Sequence, residues 1–344
     1  MKNTPFVLAV LLGLCGVSAQ TVFSPTSALY QLLFLGAGII LYVVITKKIA
    51  PDTVVHTSAL LSIIGIVVLA ALLVFGDPVR GSRRWFPFFG FSLQPSVIFI
   101  PFFILTLSLW VNRYRPSESW GNYVKVLLLC SVPSAFVFAQ PDLGTSMLIA
   151  LTGFFLIVYS GIKLWQFIVI ALIPLPGVFF AERLLKPYQL ARLTSFLNPA
   201  LDPLGINYNS LQSVIAIGSG GFLGKGLFRT SQSRLNFLPE AHTDFIFASW
   251  TEAFGFVGAF FLICLFSWFL YSLLKEALEE KNPLHQLYCA GFCIYLFLET
   301  AINIGMNLRL LPVVGVPFPL ISYGGSAILT VFIGLAIQKK LREL

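Results

Sequence analysis

Charged side chains are scarce in this 344-residue chain: Asp, Glu, Lys and Arg make up 10% of it, whereas hydrophobic residues make up 57%. Soluble domains carry about 25% charged residues, so this composition excludes an ordinary soluble protein. The chain contains repeated apolar runs of roughly 20 residues, the length at which a helix crosses a bilayer. It lacks the short alternating segments of a membrane β-barrel. The sequence therefore predicts an all-α, polytopic integral membrane protein.

Residues that commonly bind metals are also few: the chain has 14 acidic residues, 3 histidines and 5 cysteines. All the cysteines lie in apolar segments: Cys15, Cys130, Cys264, Cys289 and Cys293. Cys289 and Cys293 share a helix face, but no further ligands lie near them in the sequence. We interpret the cysteines as small buried hydrophobic residues. No cofactor is identifiable from the sequence, which is also compatible with a divalent cation.

Hydropathy divides the chain into about ten predicted membrane helices. They cover residues 5–22, 27–46, 55–76, 96–112, 122–139, 143–160, 164–181, 244–273, 284–306 and 320–338. The first segment also resembles a signal peptide, but a short helix is favoured because further membrane segments follow at once. Pro174 and Pro176 predict a kink in the seventh helix. Residues 1–344 form one predicted transmembrane domain, whose long loop, 182–243, joins helices 7 and 8.

Basic residues predict the orientation of these helices. Ten spans place both termini on one side of the membrane. The short loops and ends on that side hold Lys2, Lys47, Lys48, Arg113, Arg115, Lys163, Lys275, Lys281, Lys339, Lys340 and Arg342. The opposite short loops hold Arg80, Arg83, Arg84 and Arg309. The positive-inside rule then places both termini in the cytoplasm and loops 77–95 and 182–243 outside. It also explains the net charge of +8 without a nucleic-acid partner.

The predicted outer side collects cations and glycines. The cations are Arg83, Arg84, Arg183, Lys186, Arg192, Lys225, Arg229 and Arg234. Together they suggest an anionic ligand, because Arg and Lys are the usual partners of phosphate, although solvated or lipid-facing side chains are the alternative. Five glycines between Gly218 and Gly226 would allow close approach to a ligand, or form a flexible turn. No Ser or Thr follows Lys225, so this segment is not a P-loop.

Asp244 stands where the long loop meets the eighth predicted helix, beside His242 and Thr243. An aspartate at this position is commonly an N-cap. Its alternative role is a general base, because partial desolvation raises the pKa of a carboxyl group toward a useful value. Glu240 flanks the site, and Glu252 lies eight residues further on, roughly on the same helix face.

Other internal polar residues have structural interpretations. Glu299 and Asn303 lie four residues apart on the ninth predicted helix, where polar side chains usually pair across helices. A polar cavity lining is their second interpretation. Asp142 follows Pro141, which stops the fifth helix, and could cap the sixth helix or act as a second outward-facing acid.

Several long motifs resemble the SEDS family (shape, elongation, division and sporulation). They are GSRRWFPFFGFSLQPS, AQPDLGTSM, RLTSFLNPALDPLGINYNSLQSVIAIGSGGFLGKG, LNFLPEAHTDFIFA and NIGMNLRLLPVVGVPFPLISYGGS. Their order agrees with the family through nearly the whole chain. The form of the last motif is closer to the rod-shape branch than to the division branch.

The resemblance implies a bacterial inner-membrane glycosyltransferase that polymerises the peptidoglycan precursor lipid II on the outer face. A sugar hydroxyl would attack an anomeric carbon, and undecaprenyl pyrophosphate would leave. The family's catalytic aspartate falls on Asp244, which becomes the expected general base. Expected substrate-binding residues, for pyrophosphate or sugar, are Arg84, Gln94, Asp142, Arg192, Gln212, Lys225, Arg229, His242 and Ser322. Implied partners are a class B penicillin-binding protein and other membrane proteins of the elongation complex.

One pair of positions departs from the family pattern. The family has a glutamate after the motif Gln94-Pro95-Ser96, and a lysine three residues later; this chain has Val97 and Ile100. Replacing both members of a buried ion pair by apolar groups can be neutral, whereas removing one strands a charge. The fold is therefore expected to survive, and the change favours a non-catalytic scaffold of the elongation machinery as one alternative. A lipid II flippase is another alternative; it would require polar groups through the membrane midplane, where Glu299 and Asn303 are the clear internal pair.

Overall fold

The computed structural model describes residues 3–76, 83–88, 91–172, 183, 185–198, 205, 207–235, 237–279 and 281–344. The chain divides into two compact units. The first unit contains Met1–Gly36, Phe179–Phe269 and Glu299–Gly324, and the second contains Ala37–Val178, Leu270–Leu298 and Gly325–Leu344.

The described residues are mostly helical, as predicted. The helices are α1 Thr4–Gln20, α2 Pro25–Lys48, α3 Pro51–Phe75, α4 Pro95–Tyr114, α5 Trp120–Ala139, α6 Leu143–Tyr159, α7 Leu164–Leu172, α8 Pro187–Leu197, α9 Tyr208–Gly220, α10 Ile246–Glu279, α11 Pro283–Asn307 and α12 Gly325–Leu341. Within this described part, α2, α3, α4, α5, α10 and α11 are long and apolar enough to cross a membrane. Helices α1 and α6 are shorter apolar helices. The prediction of an all-α, polytopic membrane protein is confirmed.

Three details of the predicted organisation differ from the structure. The stretch 182–243 contains two helices, α8 and α9, where the sequence predicted a loop. The last helix begins at Gly325 rather than near residue 320, because turns occupy the preceding residues. A two-stranded antiparallel hairpin, β1 Phe86–Phe88 and β2 Phe91–Leu93, precedes α4. The predicted kink at Pro174 and Pro176 lies outside the described residues, as do Lys2, Asp77, Arg80 and Glu182.

Helix starts follow from local sequence. Proline stands in the first turn of α1, α3, α4 and α8, where its missing N–H would have no helical partner. Asp142 is the N-cap of α6, and its Oδ1 accepts a hydrogen bond from the Thr145 amide at 3.2 Å. Of the two interpretations of Asp142, the structure thus shows the N-cap.

Helix α10 is interrupted at Gly255, whose φ of 66° and ψ of −165° are not helical. Residues 256–274 after the break carry no charge, and at 1.5 Å per residue they are about 28 Å long, sufficient to cross the bilayer core alone. The residues before the break, Ile246–Phe254, form a short separate helix that follows Asp244.

The first unit has its apolar core around this short helix. Five buried residues form the cluster: Ala216, Leu238, Ala241, Phe245 and Ala248. Phe23, Ile217 and Val313 pack against it. The cluster joins α9 to the start of α10, so it fixes the segment that carries Asp244.

The second unit packs through small residues, as membrane helices commonly do. Gly153 of α6 lies against Cys130 of α5, and Gly291 of α11 lies against Ile104 of α4 and Leu156 of α6. Ser62 and Thr106 share a 2.7 Å hydrogen bond between α3 and α4. These contacts hold α4 at the centre of several helices, with most of its residues buried.

Candidate active site

The turn before α10 is held by its backbone carbonyls. The carbonyl of His242 accepts hydrogen bonds from the Tyr323 amide at 2.9 Å and from Gln20 Nε2 at 3.2 Å. The carbonyl of Thr243 accepts one from Ser322 Oγ at 2.6 Å. Helix α1 and the turn before α12 therefore fix the two residues that precede Asp244.

Two asparagines fix Asp244 itself. Its carbonyl accepts hydrogen bonds from Asn303 Nδ2 at 2.9 Å and Asn307 Nδ2 at 3.0 Å, both from α11. Asn303 also donates to the Val316 carbonyl at 2.7 Å, and the Ala248 amide donates to Asn307 Oδ1 at 3.0 Å. The prediction that Asn303 joins internal segments is confirmed by these contacts. Asn307 was not identified from the sequence as a second such residue, although it lies four residues from Asn303 on the same helix face.

The Asp244 side chain is half-buried and faces a glycine. A Cβ placed on Gly315 would lie 3.3 Å from Asp244 Oδ2. The hydroxyl of neighbouring Thr243 donates to Glu240 Oε2 at 3.1 Å. The backbone around Asp244 is thus rigidly bonded, and a residue without a side chain stands beside the carboxylate.

Aromatic rings surround His242. Its imidazole makes edge contacts with Phe23 and Tyr323, each at a centroid distance of 5.9 Å. Burial, with a smaller contribution from Tyr30, raises the pKa of the Tyr323 phenol. The ring of His242 is consequently held in a defined orientation beside Asp244.

Ser322 and Gln212 differ in the hydrogen bonds that the structure shows for their side chains. The buried hydroxyl of Ser322 donates to Thr243 and also accepts from the Phe318 amide at 2.7 Å. Its hydrogen-bonding capacity is therefore largely used in holding the turn. Gln212 lies half-buried on α9, next to Ser213, whose hydroxyl donates to the Asn307 carbonyl at 2.8 Å. Both residues belong to the first unit with Asp244.

The predicted cations of the first unit occupy different environments. Arg192 is exposed on α8, and its Nη1 donates to the Val313 carbonyl at 3.3 Å, two residues before Gly315. Arg229 is exposed in the segment between α9 and α10. Lys225 instead forms an ion pair with Glu252, with Nζ 3.1 Å from Oε1. Arg192 and Arg229 are therefore available to an anionic ligand, whereas Lys225 is already paired.

The glycines near Lys225 approach protein backbone. A Cβ on Gly220 would collide with the Thr251 carbonyl, and one on Gly224 with the Ala253 carbonyl. The sequence left open a ligand contact or a flexible turn for this segment. In the structure, these glycines allow it to lie directly against the break in α10 at Gly255.

Three other predicted residues meet in the second unit. The Asp142 carboxylate is fully buried, and its Oδ1 lies 3.1 Å from Arg84 Nη1. Gln94 Nε2 donates to Oδ2 at 2.8 Å, and the backbone amide of Gln94 donates to Ser326 Oγ at 2.8 Å. The partly exposed Arg84 is thus oriented by a satisfied buried acid. Sequence reasoning named all three residues without indicating that they bond to one another.

The positions that depart from the family pattern are both buried in this unit. Val97 is 6% exposed and Ile100 is 2% exposed, both on α4. Two charges here would need each other, since a lone buried charge is costly. The apolar pair fits the interior that surrounds it.

Among the described residues, no group of three or more His, Cys, Asp or Glu side chains is arranged to hold a metal ion.

Comparison with known proteins finds a matching family model and similar chains. The model of the FtsW, RodA and SpoVE family, described as cell cycle protein, matches residues 4–343. Peptidoglycan glycosyltransferase MrdB of Escherichia coli (strain K12) is 37% identical over 342 residues, covering 97% of this chain and 91% of the relative. A probable peptidoglycan glycosyltransferase FtsW of Coxiella burnetii (strain RSA 493 / Nine Mile phase I) is 37% identical, covering 87% and 82%.

Solved structures agree with the fold. One chain, from a study of how a peptidoglycan synthase complex coordinates polymerisation and crosslinking, superposes with a TM-score of 0.82 at 25% identity, covering 99% of this chain and 97% of that one. The rod shape determining protein RodA of Thermus thermophilus superposes with a TM-score of 0.73 at 23% identity, covering 99% and 96%. The second likeness supports the fold alone.

Proposed function

Because this chain belongs to the FtsW, RodA and SpoVE family of cell cycle proteins, we propose that it is a peptidoglycan glycosyltransferase of cell elongation, with Asp244 as its general base. Its substrate is lipid II, and its product is the glycan strand. The observation that carries the assignment of the base is the Asp244 corner. Here, a half-buried carboxylate belongs to the last of three successive residues, 242–244, whose backbone carbonyls all accept hydrogen bonds.

The reaction joins a sugar hydroxyl of one lipid-linked disaccharide to the anomeric carbon of another. The carboxylate of Asp244 accepts the hydroxyl proton as the new C–O bond forms, and the bond to undecaprenyl pyrophosphate breaks. A positioned base of this kind typically accelerates a reaction 10²–10⁴-fold. The fixed backbone on either side of Asp244 places this base without reorganisation during the reaction.

Negative charge develops on the leaving pyrophosphate and requires cations. In the first unit, exposed Arg192 and Arg229 bind it, and Gln212, His242 and Ser322 shape the same region. In the second unit, Arg84 binds substrate phosphate while Gln94 and Asp142 orient its guanidinium. The side chain of Arg84 is 27% exposed although it is paired with Asp142. An arginine that is both accessible and held in one orientation is suited to binding a phosphate group.

The protein is a multi-pass protein of the bacterial inner membrane. Both termini face the cytoplasm, and Asp244 faces outward, as the distribution of Lys and Arg indicates. A class B penicillin-binding protein supplies the crosslinking activity, and other membrane proteins of the elongation machinery join it. The similar chain from a peptidoglycan synthase complex supports the first of these partners.

The flippase alternative required polar groups through the membrane, with Glu299 and Asn303 as the internal pair. Asn303 donates both of its described hydrogen bonds to backbone carbonyls, which is a structural task. The geometry therefore favours the enzyme.

The test uses the purified protein in lipid nanodiscs with its penicillin-binding partner and labelled lipid II. Parent protein should produce glycan chains, while Asp244→Asn and Asp244→Ala should lose at least about 100-fold in rate. Undiminished polymer from either variant would remove Asp244 from the role of base. An absence of polymer from the parent, together with lipid II movement in sealed vesicles, would favour the flippase.

A further inference from the structure

The break in α10 at Gly255 interrupts the helical hydrogen bonds around it. The segment between α9 and α10 supplies partners for four of the backbone groups there. The carbonyls of residues 252 and 253 accept hydrogen bonds from the amides of Lys225 and Gly226 at 3.0 and 2.9 Å. The amides of residues 256 and 257 donate to the carbonyls of Gly221 and Phe222 at 2.9 and 3.1 Å. An unmade buried hydrogen bond costs about 1–3 kcal/mol, so this segment is what makes the break tolerable.

The Glu252 carboxylate fastens the same segment to the helix. Its Oε1 accepts from Lys225 Nζ at 3.1 Å and from the amides of Ser231 and Gln232 at 2.8 and 3.0 Å. Its Oε2 accepts from the amide and hydroxyl of Ser233 at 3.1 and 2.8 Å. We call this group of Glu252, Lys225 and residues 231–233 the clasp. Glu252 is fully buried, which requires such pairing of its charge.

The helix between the clasp and Asp244 is short and continuous. Ile246–Phe254 is about 13 Å long at 1.5 Å per residue. Asn303 and Asn307 hold its Asp244 end, and the clasp holds its other end. A displacement at either end therefore moves the whole helix, since an α-helix of this length behaves as a rigid body.

We propose that the clasp is a positioning device for the general base: Glu252 and Lys225 hold the far end of the short helix and thereby fix the Asp244 carboxylate. This inference rests on the proposed function of Asp244. It also gives Lys225 a role other than the pyrophosphate contact that the family resemblance implied. Glu252 and Lys225 are positioning residues, acting through Asp244 and not on the substrate.

Kinetics separate these two roles of Lys225. The variants are Lys225→Met, Lys225→Arg, Glu252→Gln and the double variant Lys225→Met/Glu252→Gln. Lys281→Met, at an exposed position between α10 and α11, is the matched control for loss of a cation. Initial rates of polymerisation are measured against lipid II concentration in nanodiscs.

Lys225→Met and Glu252→Gln are expected to lower kcat about 10- to 100-fold with KM unchanged, because a small displacement of a catalytic group reduces the rate without weakening binding. Lys225→Arg should recover most of the activity because it retains the charge. The double variant should be no slower than the slower single variant, since both changes open one clasp. A raised KM with unchanged kcat for Lys225→Met, or additive losses in the double variant, would overturn the proposal.

Hydrogen–deuterium exchange tests the mechanical link without any chemistry. In the absence of substrate, Lys225→Met and Glu252→Gln should speed amide exchange at residues 231–233 and also at residues 242–248. Faster exchange confined to residues 231–233 would show that the clasp is local and would overturn the proposal. This measurement also stays informative if a variant has little activity.

The outcome is separable from that of the proposed function. Asp244→Asn should abolish polymerisation while leaving exchange at residues 231–233 as in the parent. Polymer from Asp244→Asn would refute the base, whereas normal kcat in Glu252→Gln beside an inactive Asp244→Asn would refute only the clasp.

Discussion

Gly315 lies directly beside the carboxylate of Asp244, close enough that an added Cβ would be 3.3 Å from Oδ2. Gly315 also has a φ of +72°, a conformation that residues with side chains rarely adopt. Two independent properties thus require glycine here, the backbone conformation and the space beside the proposed base. Of these two properties, the free space beside the carboxylate is the one that bears on catalysis.

Gly315→Ala should therefore lower the rate of polymerisation strongly, beyond what its loss of stability explains. The added methyl group crowds Oδ2, and a displaced base is expected to lower kcat about 10- to 100-fold. Gly161→Ala is the matched control, because Gly161 has a φ of +85° but open space where its Cβ would lie. Rates and thermal unfolding are measured for both variants. If Gly315→Ala and Gly161→Ala lose activity equally, the loss in Gly315→Ala is due to backbone strain and not to crowding of Asp244.

Asn307→Leu should destabilise the Asp244 corner. The change removes the donor to the Asp244 carbonyl and the acceptor for the Ala248 amide. Each unmade buried hydrogen bond costs about 1–3 kcal/mol, so the free energy of unfolding should fall by several kcal/mol. Thermal unfolding in detergent measures the loss, and Asn3→Leu, at an exposed position before α1 whose side chain makes no capping hydrogen bond, serves as the control. An unchanged midpoint for Asn307→Leu would show that the hydrogen bonds of Asn307 contribute little to stability.

The sequence predicted the long apolar spans well, because a bilayer imposes length and composition on every helix that crosses it. It also offered the N-cap of α6 as one of two interpretations of Asp142, since capping depends on adjacent residues. It missed α8 and α9 and the break at Gly255. The break is stabilised by backbone bonds to residues 221–226, more than 25 positions earlier in the chain. Hydropathy carries no signal for such pairing, and five neighbouring glycines indicated only that some close approach occurs.

The candidate site was predictable to different degrees. Asp244 and its flanking residues are contiguous, so one motif identified them together. The hydrogen bonds between Arg84, Gln94 and Asp142 join segments far apart in sequence and required coordinates. The pairing of Lys225 with Glu252 also could not be predicted, because the sequence does not distinguish a lysine that binds phosphate from one that is paired with a carboxylate.

The Arg84–Asp142 pair offers a test of how the second unit holds its buried acid. Asp142→Leu should lower the free energy of unfolding by about 3 kcal/mol, because Arg84 and Gln94 lose their acceptor. The double variant Arg84→Leu/Asp142→Leu should lose less than the sum of the single changes, since the residues act as one pair. Arg115→Ala, which breaks an exposed ion pair with Glu118, should change little. Strict additivity in thermal unfolding would contradict the coupling.

The apolar pair on α4 gives the last prediction. Val97→Glu places a lone charge at a position that is 6% exposed and should cost about 3–5 kcal/mol of stability. Val97→Glu/Ile100→Lys should regain part of this loss, because residues three apart on a helix are neighbours and the two charges can pair. Val97→Leu controls for altered packing. Thermal unfolding and polymerisation are measured together. If the double variant is less stable than Val97→Glu alone, then the interior around α4 has become committed to apolar packing, and the charged pair of the wider family is no longer compatible with it.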